Sequence, residues 1–581
     1  MRGLEIHSSP DKKKYVIGGA IAFVILVIAA PFLSSTYSYL KIATSSIDES
    51  ICPVYDFKRP ASFLIDNSTA VEIINDEKFR LKSVQKVSGA VRIDTTVFDN
   101  QPDVDDDPKL WANFAKFHKY LELTFPTVYA LLEVNYVNTY GIVFHWKGSD
   151  KHLKPLMLAA HQDVVPVQKD TLDAWTYPPF EGHYDGEYLY GRGSSDCKNV
   201  LIAILESFEL LISKGYEPKR SIVAAFGFDE EASGIVGAQN IAKYLEKTFG
   251  KESMYAIIDE GQGLTTDANT NQVIAIPGTG EKGYVDILVE LTTPGGHSSV
   301  PPDHTSIGIV SELAYLIEKD PYNSILTEKN PYLNYLQCGA VHQGKKGGLS
   351  SFMKKAILRA GFDKYANSKV LELLRANLLT KYLVTTSQAI DIVKGGEKVN
   401  ALPEYTKMVV NHRVAIETTL DEVRSNFIER AKILANKYGL DLEGFGEAII
   451  DNKSSKGKFV ISNFSSPLKS APVTPVDDKV WEYLAGTTRH VFEDLVFTKG
   501  NKLDYPIVTA PSIMTGNTDT RYYWNLTKNI FRYSPMYLDD FVKGTNIHSV
   551  DEKLKFDNHL QLLTFFYEFI QNVDTAEANN K

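Results

Sequence analysis

Apolar positions follow two different rhythms along this chain. From residue 107 to 258 buried-type runs alternate with helical spacing. Asp107–Leu123 (DPKLWANFAKFHKYLEL) repeats apolar residues at helical intervals. Gly141–Trp146 and Pro155–Ala160 (PLMLAA) read as strands, Val200–Leu211 as a helix, Ser221–Phe228 as a buried strand, Val236–Phe249 as a helix and Ala256–Ile258 as a strand. Strands that are apolar on both faces and separated by helices predict a mixed, mainly parallel sheet covered by helices. In such sheets chemistry gathers beyond the C-terminal strand ends.

The rhythm changes at Gly283. Tyr284–Leu291 alternates like a half-exposed strand. A helix (Ser306–Glu318), strands (Gln388–Val393 and Lys407–Val414), a helix (Leu420–Tyr438) and a strand (Glu447–Ile450) follow. The expectation is a smaller α+β, ferredoxin-like lid over 284–466, with a helical elaboration at 320–385. It interrupts an α/β catalytic domain made of 81–283 and 467–576. Residues 34–80 read as a stem. Val16–Leu33 is an uncharged apolar run preceded by Lys12, Lys13 and Lys14. It reads as a transmembrane signal-anchor over 16–33 with 1–15 in the cytosol, a single-pass type II arrangement. The sequons at Asn67, Asn452, Asn463 and Asn525 all lie beyond it.

Composition narrows the classes. The 581 residues are 44% hydrophobic and 23% charged, as in a folded globular chain. A net charge of −10 without a basic patch argues against a nucleic-acid partner. Three cysteines are too few for a disulfide framework or a Cys-rich zinc module, and leave at most one bridge, Cys52 with Cys338.

The candidate chemistry sits at strand ends. His161-Gln-Asp163 follows PLMLAA directly. Gly191-Arg-Gly-Ser-Ser-Asp196 precedes a helix, its glycines permitting a tight turn. Asp229-Glu230-Glu231 ends the next apolar strand, and Asp259-Glu260-Gly261 a third. Acids crowded at one rim repel unless a cation lies nearby. Two histidines, counting the distant His548, with several carboxylates form a nitrogen and oxygen donor set suited to paired Zn²⁺. One carboxylate left off the metals would serve as general base. There is no Gly-X-Ser-X-Gly elbow or Walker loop.

These motifs in this order, together with Gly295-Gly-His297-Ser-Ser, resemble the zinc carboxypeptidase/aminoacylase family, and within it the fungal vacuolar Gly-Xaa carboxypeptidases. AHQDVVPV, GFDEEASG, EKGYVDI, GGHSSVPPDHT, NALPE and GNTDTRYYWNL carry the likeness. The resemblance implies a two-zinc carboxypeptidase acting on short peptides in the vacuole. It implies His161 and one of Asp259 or Glu260 on the first zinc, Glu231 and His548 on the second, and Asp196 bridging. It gives Asp163 the task of orienting His161 and Glu230 that of general base. A cis peptide is implied after Asp196. His297, Asn400 and Arg413 correspond to substrate-binding positions of the lid, through which some relatives form homodimers. Asn517, Asp519 and Arg521 form a polar turn without an assigned role. An N-acyl-amino-acid hydrolase or synthase would use the same residues. An inactive peptide-binding ectodomain would lack a ligand or the base, and no member is missing.

Overall fold

The computed structural model describes residues 34–344, 346–498, 503, 506–538 and 544–579. A ten-stranded mixed sheet forms the body. Its main path runs Glu133–Val137, Gly141–Trp146, Ile222–Gly227, Leu156–His161, Ala256–Thr266, Ile530–Tyr537, Gly278–Glu281 and Ser512–Met514. The four central strands, from Ile222–Gly227 to Ile530–Tyr537, are parallel to one another. Leu156–His161 and Ile222–Gly227 are buried at every position, which is why their sequences do not alternate. Successive side chains serve opposite faces. Leu158, Ala160 and Phe226 pack with the helices Lys198–Ser213 and Phe556–Val573, while Met157, Ala159 and Ala225 pack with Ala238–Phe249.

A second, six-stranded sheet has the order Ala389–Gly395, Tyr405–Val414, Gly283–Thr292, Lys458–Asn463, Asp441–Gly444, Glu447–Ile450. Helices Ser306–Lys319 and Leu420–Tyr438 share its core. The latter opens with a Thr419/Glu422 capping box and closes at Gly439, whose φ of 68° is the left-handed cap that glycine favours. Between 320 and 385 lie helices Pro331–Val341, Ser351–Arg359, Lys364–Arg375 and Leu378–Lys381, with a core of their own.

Three features differ from the sequence expectation. Residues 34–80, read from the sequence as a stem with few periodic runs, carry helices. Residues 34–43 are helical, helices Ala61–Ile65, Ser68–Asn75 and Glu77–Val91 follow, and Ile42 and Ile73 are fully buried. Arg59 pairs with Asp494 at 2.6 Å, and Cys52 is disulfide-bonded to Cys338. The first of these helices are too short to print a period on the sequence. The strand begun at Ala256 continues to Thr266 through polar residues. Ile530–Tyr537, a central strand, hides Arg532, whose charge is met 3.0 Å away by Glu281. No helix among the described residues is long and apolar enough to cross a membrane. The expected span, Val16–Leu33, lies outside the described residues.

Candidate metal centre

Three neighbouring parallel strands deliver an imidazole and several acids to one rim. His161 ends its strand and is 1% exposed. Its Nδ1 lies 3.0 Å from the Asp163 carbonyl oxygen and 3.3 Å from the Asp163 carboxylate. That leaves Nε2 facing the site, 3.1 Å from Asp196 Oδ1 and 3.4 Å from Glu260 Oε1. The other Asp196 oxygen is 3.2 Å from His548 Nε2, which is also 3.2 Å from Glu231 Oε1. Asp196 thus stands between two histidines, each with a further glutamate.

Asp163 does more than face His161. Its two oxygens accept the backbone N–H groups of Glu230 and Glu231 at 3.1 and 3.0 Å. One buried carboxylate therefore fixes both the ring and the turn that carries the two glutamates. The Glu230 side chain borders the cavity and has no hydrogen-bond partner among the described residues.

Adjacent strand residues point to opposite faces, so only one of Asp259 and Glu260 can enter the site. Glu260 does, and Asp259 turns into the body with Oδ2 buried and unpartnered among the described residues. The sequence leaves Asp259 and Glu260 as open alternatives, and the strand's facing turns Glu260 towards His161.

The Asp196 turn is held by a residue the sequence reading did not single out. Glu552 Oε1 accepts the N–H groups of Gly193, Ser195 and Asp196 at 3.0, 3.0 and 3.2 Å. Its Oε2 pairs with Arg192 at 2.6 Å, with Glu552 wholly buried. Gly193, at φ 84°, allows the turn to close on it. The peptide bond after Asp196 is cis. Glu552 lies four residues beyond His548, in a segment that reads locally as exposed. Only the pairing of Lys553–Lys555 with Tyr188–Tyr190 brings it under the turn.

Charge in the site is lopsided. Burial, with the Glu260 charge next, pushes Glu230 well above the usual carboxylate range. Burial and then Asp196 raise Glu231 to about 7. Glu260 is raised to about 7 by burial, with Asp196 adding to it. Hydrogen bonds to Asp196 and Glu231 lift His548 to about 10. A rim that draws protons onto imidazole and carboxylate alike is built to receive positive charge. His161, Asp196, Cys197 and Glu260 form one group able to hold an ion, and Asp196, Glu231 and His548 another; the Cys197 sulfur accepts the backbone N–H of His161 at 3.3 Å. The imidazole and carboxylate atoms of the two groups share one acid, Asp196, and fit two divalent cations.

The site opens into a cavity of about 300 Å³ with an apolar wall of Val200, Met514, Met536, Leu538 and Ile547. Asn517 also lines it. The Asn517 side chain accepts from Arg413 Nη1 at 3.0 Å and donates to the Lys282 carbonyl at 2.7 Å, which brings Arg413 to the cavity's edge. Asp519 is buried beneath Gly227 and Gly234, where an added Cβ would come within 2.4 and 2.3 Å of its oxygens. Arg521 donates to the Thr518 carbonyl at 3.1 Å. His297 and Asn400 are not brought to the cavity. They lie together at an exposed ribbon in which Gly296–His297 pairs with Ala401–Leu402, and His297 Nδ1 sits 2.7 Å from Ser299 Oγ.

Comparison with known proteins agrees with this architecture. A profile of peptidase family M20/M25/M40 matches residues 157–572. Carboxypeptidase S of Saccharomyces cerevisiae is 43% identical over 505 residues, covering 86% of each chain. An N-fatty-acyl-amino acid synthase/hydrolase of Mus musculus is 31% identical over 509 residues, covering 86% of this chain and 89% of that one. The crystal structure of human carnosine dipeptidase 1 shares the fold, with a TM-score of 0.57 at 16% identity, over 89% of this chain and 99% of that one.

Proposed function

The chain belongs to peptidase family M20/M25/M40, and from that premise we propose that it is a two-zinc metallo-carboxypeptidase that releases the C-terminal residue of short peptides, of the Gly-Xaa type. The observation that carries this reading is the pair of ligand groups joined at Asp196 beside a Glu230 carboxylate without a partner among the described residues. His161, Asp196 and Glu260 would hold one Zn²⁺, and Asp196, Glu231 and His548 the other. When bound, such a pair polarises the scissile carbonyl and lowers the pKa of water towards neutrality.

The chain's own residues do the rest. Glu230 takes a proton from the attacking water on its carboxylate and hands it to the leaving nitrogen. Asp163 keeps the His161 ring and the Glu230–Glu231 turn in fixed relation. Arg413 offers a planar fork to the peptide's terminal carboxylate. His297 and Asn400, exposed in this arrangement, would reach substrate by lid movement or from a second copy across a homodimer, with His297 steadying the oxyanion.

The apolar wall of the cavity also suits a long acyl group. That favours N-acyl-amino-acid hydrolysis or synthesis as the second reading. Zinc analysis and a substrate panel of Gly-Leu-type peptides against N-acyl-leucine decide between the two. Faster turnover of the acyl substrates would overturn the peptidase reading.

We place the body in the vacuole lumen, anchored through residues 16–33. The Lys12–Lys14 cluster before that apolar run supports the orientation. The Cys52–Cys338 bridge supports an oxidising compartment. Asn67 and Asn525 are exposed sequon asparagines, as glycosylation requires.

A further inference from the structure

The apolar run ends at Leu33, and the first described residue is Ser34, already helical. The helical residues 34–43 lie on the helical elaboration. Tyr39 stacks on Phe352 with ring centroids 4.6 Å apart, and Lys41 Nζ is 3.4 Å from Asp363. Lys355 Nζ donates to the Ala43 carbonyl at 2.6 Å, and Ile42 enters the core formed by Ala356, Ile357 and Ala366. Further on, the Cys52–Cys338 bridge fastens the chain to the helix Pro331–Val341. The link from Leu33 to the body is therefore short and docked. Ten helical residues span about 15 Å, so the parts they touch stay near the point where the chain leaves the apolar run.

Those parts have an unusual surface. Residues 346–364 hold five cations, Lys346, Lys354, Lys355, Arg359 and Lys364, against the single carboxylate of Asp363, in a chain of net charge −10. Asp363 is already engaged by Lys41 and Arg359. Lys346, Lys354 and Lys364 have no carboxylate partner among the described residues. Large apolar side chains on the same segments are exposed: Tyr37 is 71% exposed, Leu40 54% and Phe362 67%, with the Arg359 guanidinium 5.0 Å over the Phe362 ring. Cations mixed with exposed aromatic and aliphatic groups are the chemistry of a surface that binds anionic lipid.

We propose that this face, formed by residues 34–43, the helix Ser351–Arg359 and the turn to Lys364, rests on anionic lipid in the lumenal leaflet of the membrane that anchors the chain. Tyr37, Leu40 and Phe362 enter the headgroup layer, and Lys346, Lys354 and Lys364 meet lipid phosphates. The body then has a fixed attitude to the membrane instead of swinging on a tether. This rests on the reading that residues 16–33 span the bilayer.

The test uses the full chain reconstituted into vesicles of phosphatidylcholine with or without phosphatidylserine. A Phe362→Cys variant is labelled with an environment-sensitive fluorophore, the native thiols being bonded or buried. Leu123→Cys, an exposed site on the catalytic body, is the control. With nitroxide-headgroup lipid in serine-containing vesicles, quenching at position 362 should exceed the control several-fold. Lys346→Glu, Lys354→Glu and Lys364→Glu combined should return it to the control level, while the protein stays with the vesicles after an alkaline carbonate wash. Control-level quenching in chains that resist the wash would overturn the docked face and leave the anchor standing. Equal quenching with and without phosphatidylserine would overturn the charge complementarity. Release of the protein by carbonate would overturn the anchor, and the proposal with it.

Discussion

Glu552 accepts the backbone N–H of Asp196 at 3.2 Å, so the acid between the two histidines hangs from a buried carboxylate four residues past His548. The same carboxylate neutralises Arg192. Glu552→Gln keeps an acceptor for the turn but strands the buried guanidinium. The expected outcome is a folded protein that loses metal to a chelator at least tenfold more readily, with KM little changed. Glu552→Ala, which leaves both the turn and Arg192 unpaired, should cost about 3–5 kcal/mol of stability. Metal competition and thermal melting check this. Wild-type metal retention in Glu552→Gln would dismiss the positioning role.

The bridge between Cys52 and Cys338 closes a loop of 286 residues. Loops of that order give disulfides worth roughly 2–5 kcal/mol. Cys52→Ser should lower Tm by several degrees. Alkylation of the unreduced, denatured chain should find one free thiol, Cys197, and reduction should reveal all three cysteines. Three reactive thiols before reduction would remove the bridge.

Acid should weaken the fold through two buried neutral histidines. Burial lowers His118 and His412 to about 4. A histidine whose folded pKa lies below its unfolded value near 6.5 binds fewer protons folded than unfolded between the two. Stability from each is complete above about 6.5 and falls as pH drops towards 4. His412 sits edge-on to Tyr322 and Phe427, with Nδ1 3.3 Å from the Val285 carbonyl. His412→Gln should therefore decline less steeply than wild type between pH 6.5 and 4. Denaturant midpoints across that range measure the difference, and parallel curves would refute the assignment.

What the sequence disclosed and what it concealed follow from range. Leu156–Ala160 and Ile222–Phe226 are apolar throughout because both faces are covered, and such runs announce themselves. The acids that follow them were legible because strand ends carry their chemistry in adjacent residues. Glu552 was not, since its meaning depends on the Gly193–Asp196 turn far away in sequence. Arg532 masked a central strand because Glu281 pairs with it across the body. The choice of Glu260 over Asp259 needed the strand's facing, which neighbouring acids cannot reveal.

Arg413 gives a test of exopeptidase character. Its fork lies by Asn517 at the cavity's edge. A charge-assisted pair with a free carboxylate is worth about 1.5–3 kcal/mol, roughly 10- to 150-fold. Arg413→Ala should raise KM for free-carboxylate peptides by that factor, and C-terminally amidated peptides should be poor substrates of the wild type. Equal cleavage of both peptide forms would refute the clamp.

Glu230 and Glu231 are adjacent and both receive hydrogen-bond support through Asp163, yet their surroundings differ. Glu231 Oε1 faces His548, whereas the Glu230 carboxylate borders the cavity without a partner among the described residues. A base must be free to take a proton, and a ligand must be committed. Glu230→Gln keeps the shape and removes basicity, so two metals should remain while kcat falls about 10²- to 10⁴-fold. KM should hardly move, because the lost interaction belongs to the transition state. Glu231→Gln should instead lose metal along with activity. Metal stoichiometry and steady-state kinetics on the two purified variants separate the roles. Metal loss in Glu230→Gln with two metals retained in Glu231→Gln would reverse the assignment, and near-normal turnover by Glu230→Gln would remove general-base hydrolysis altogether.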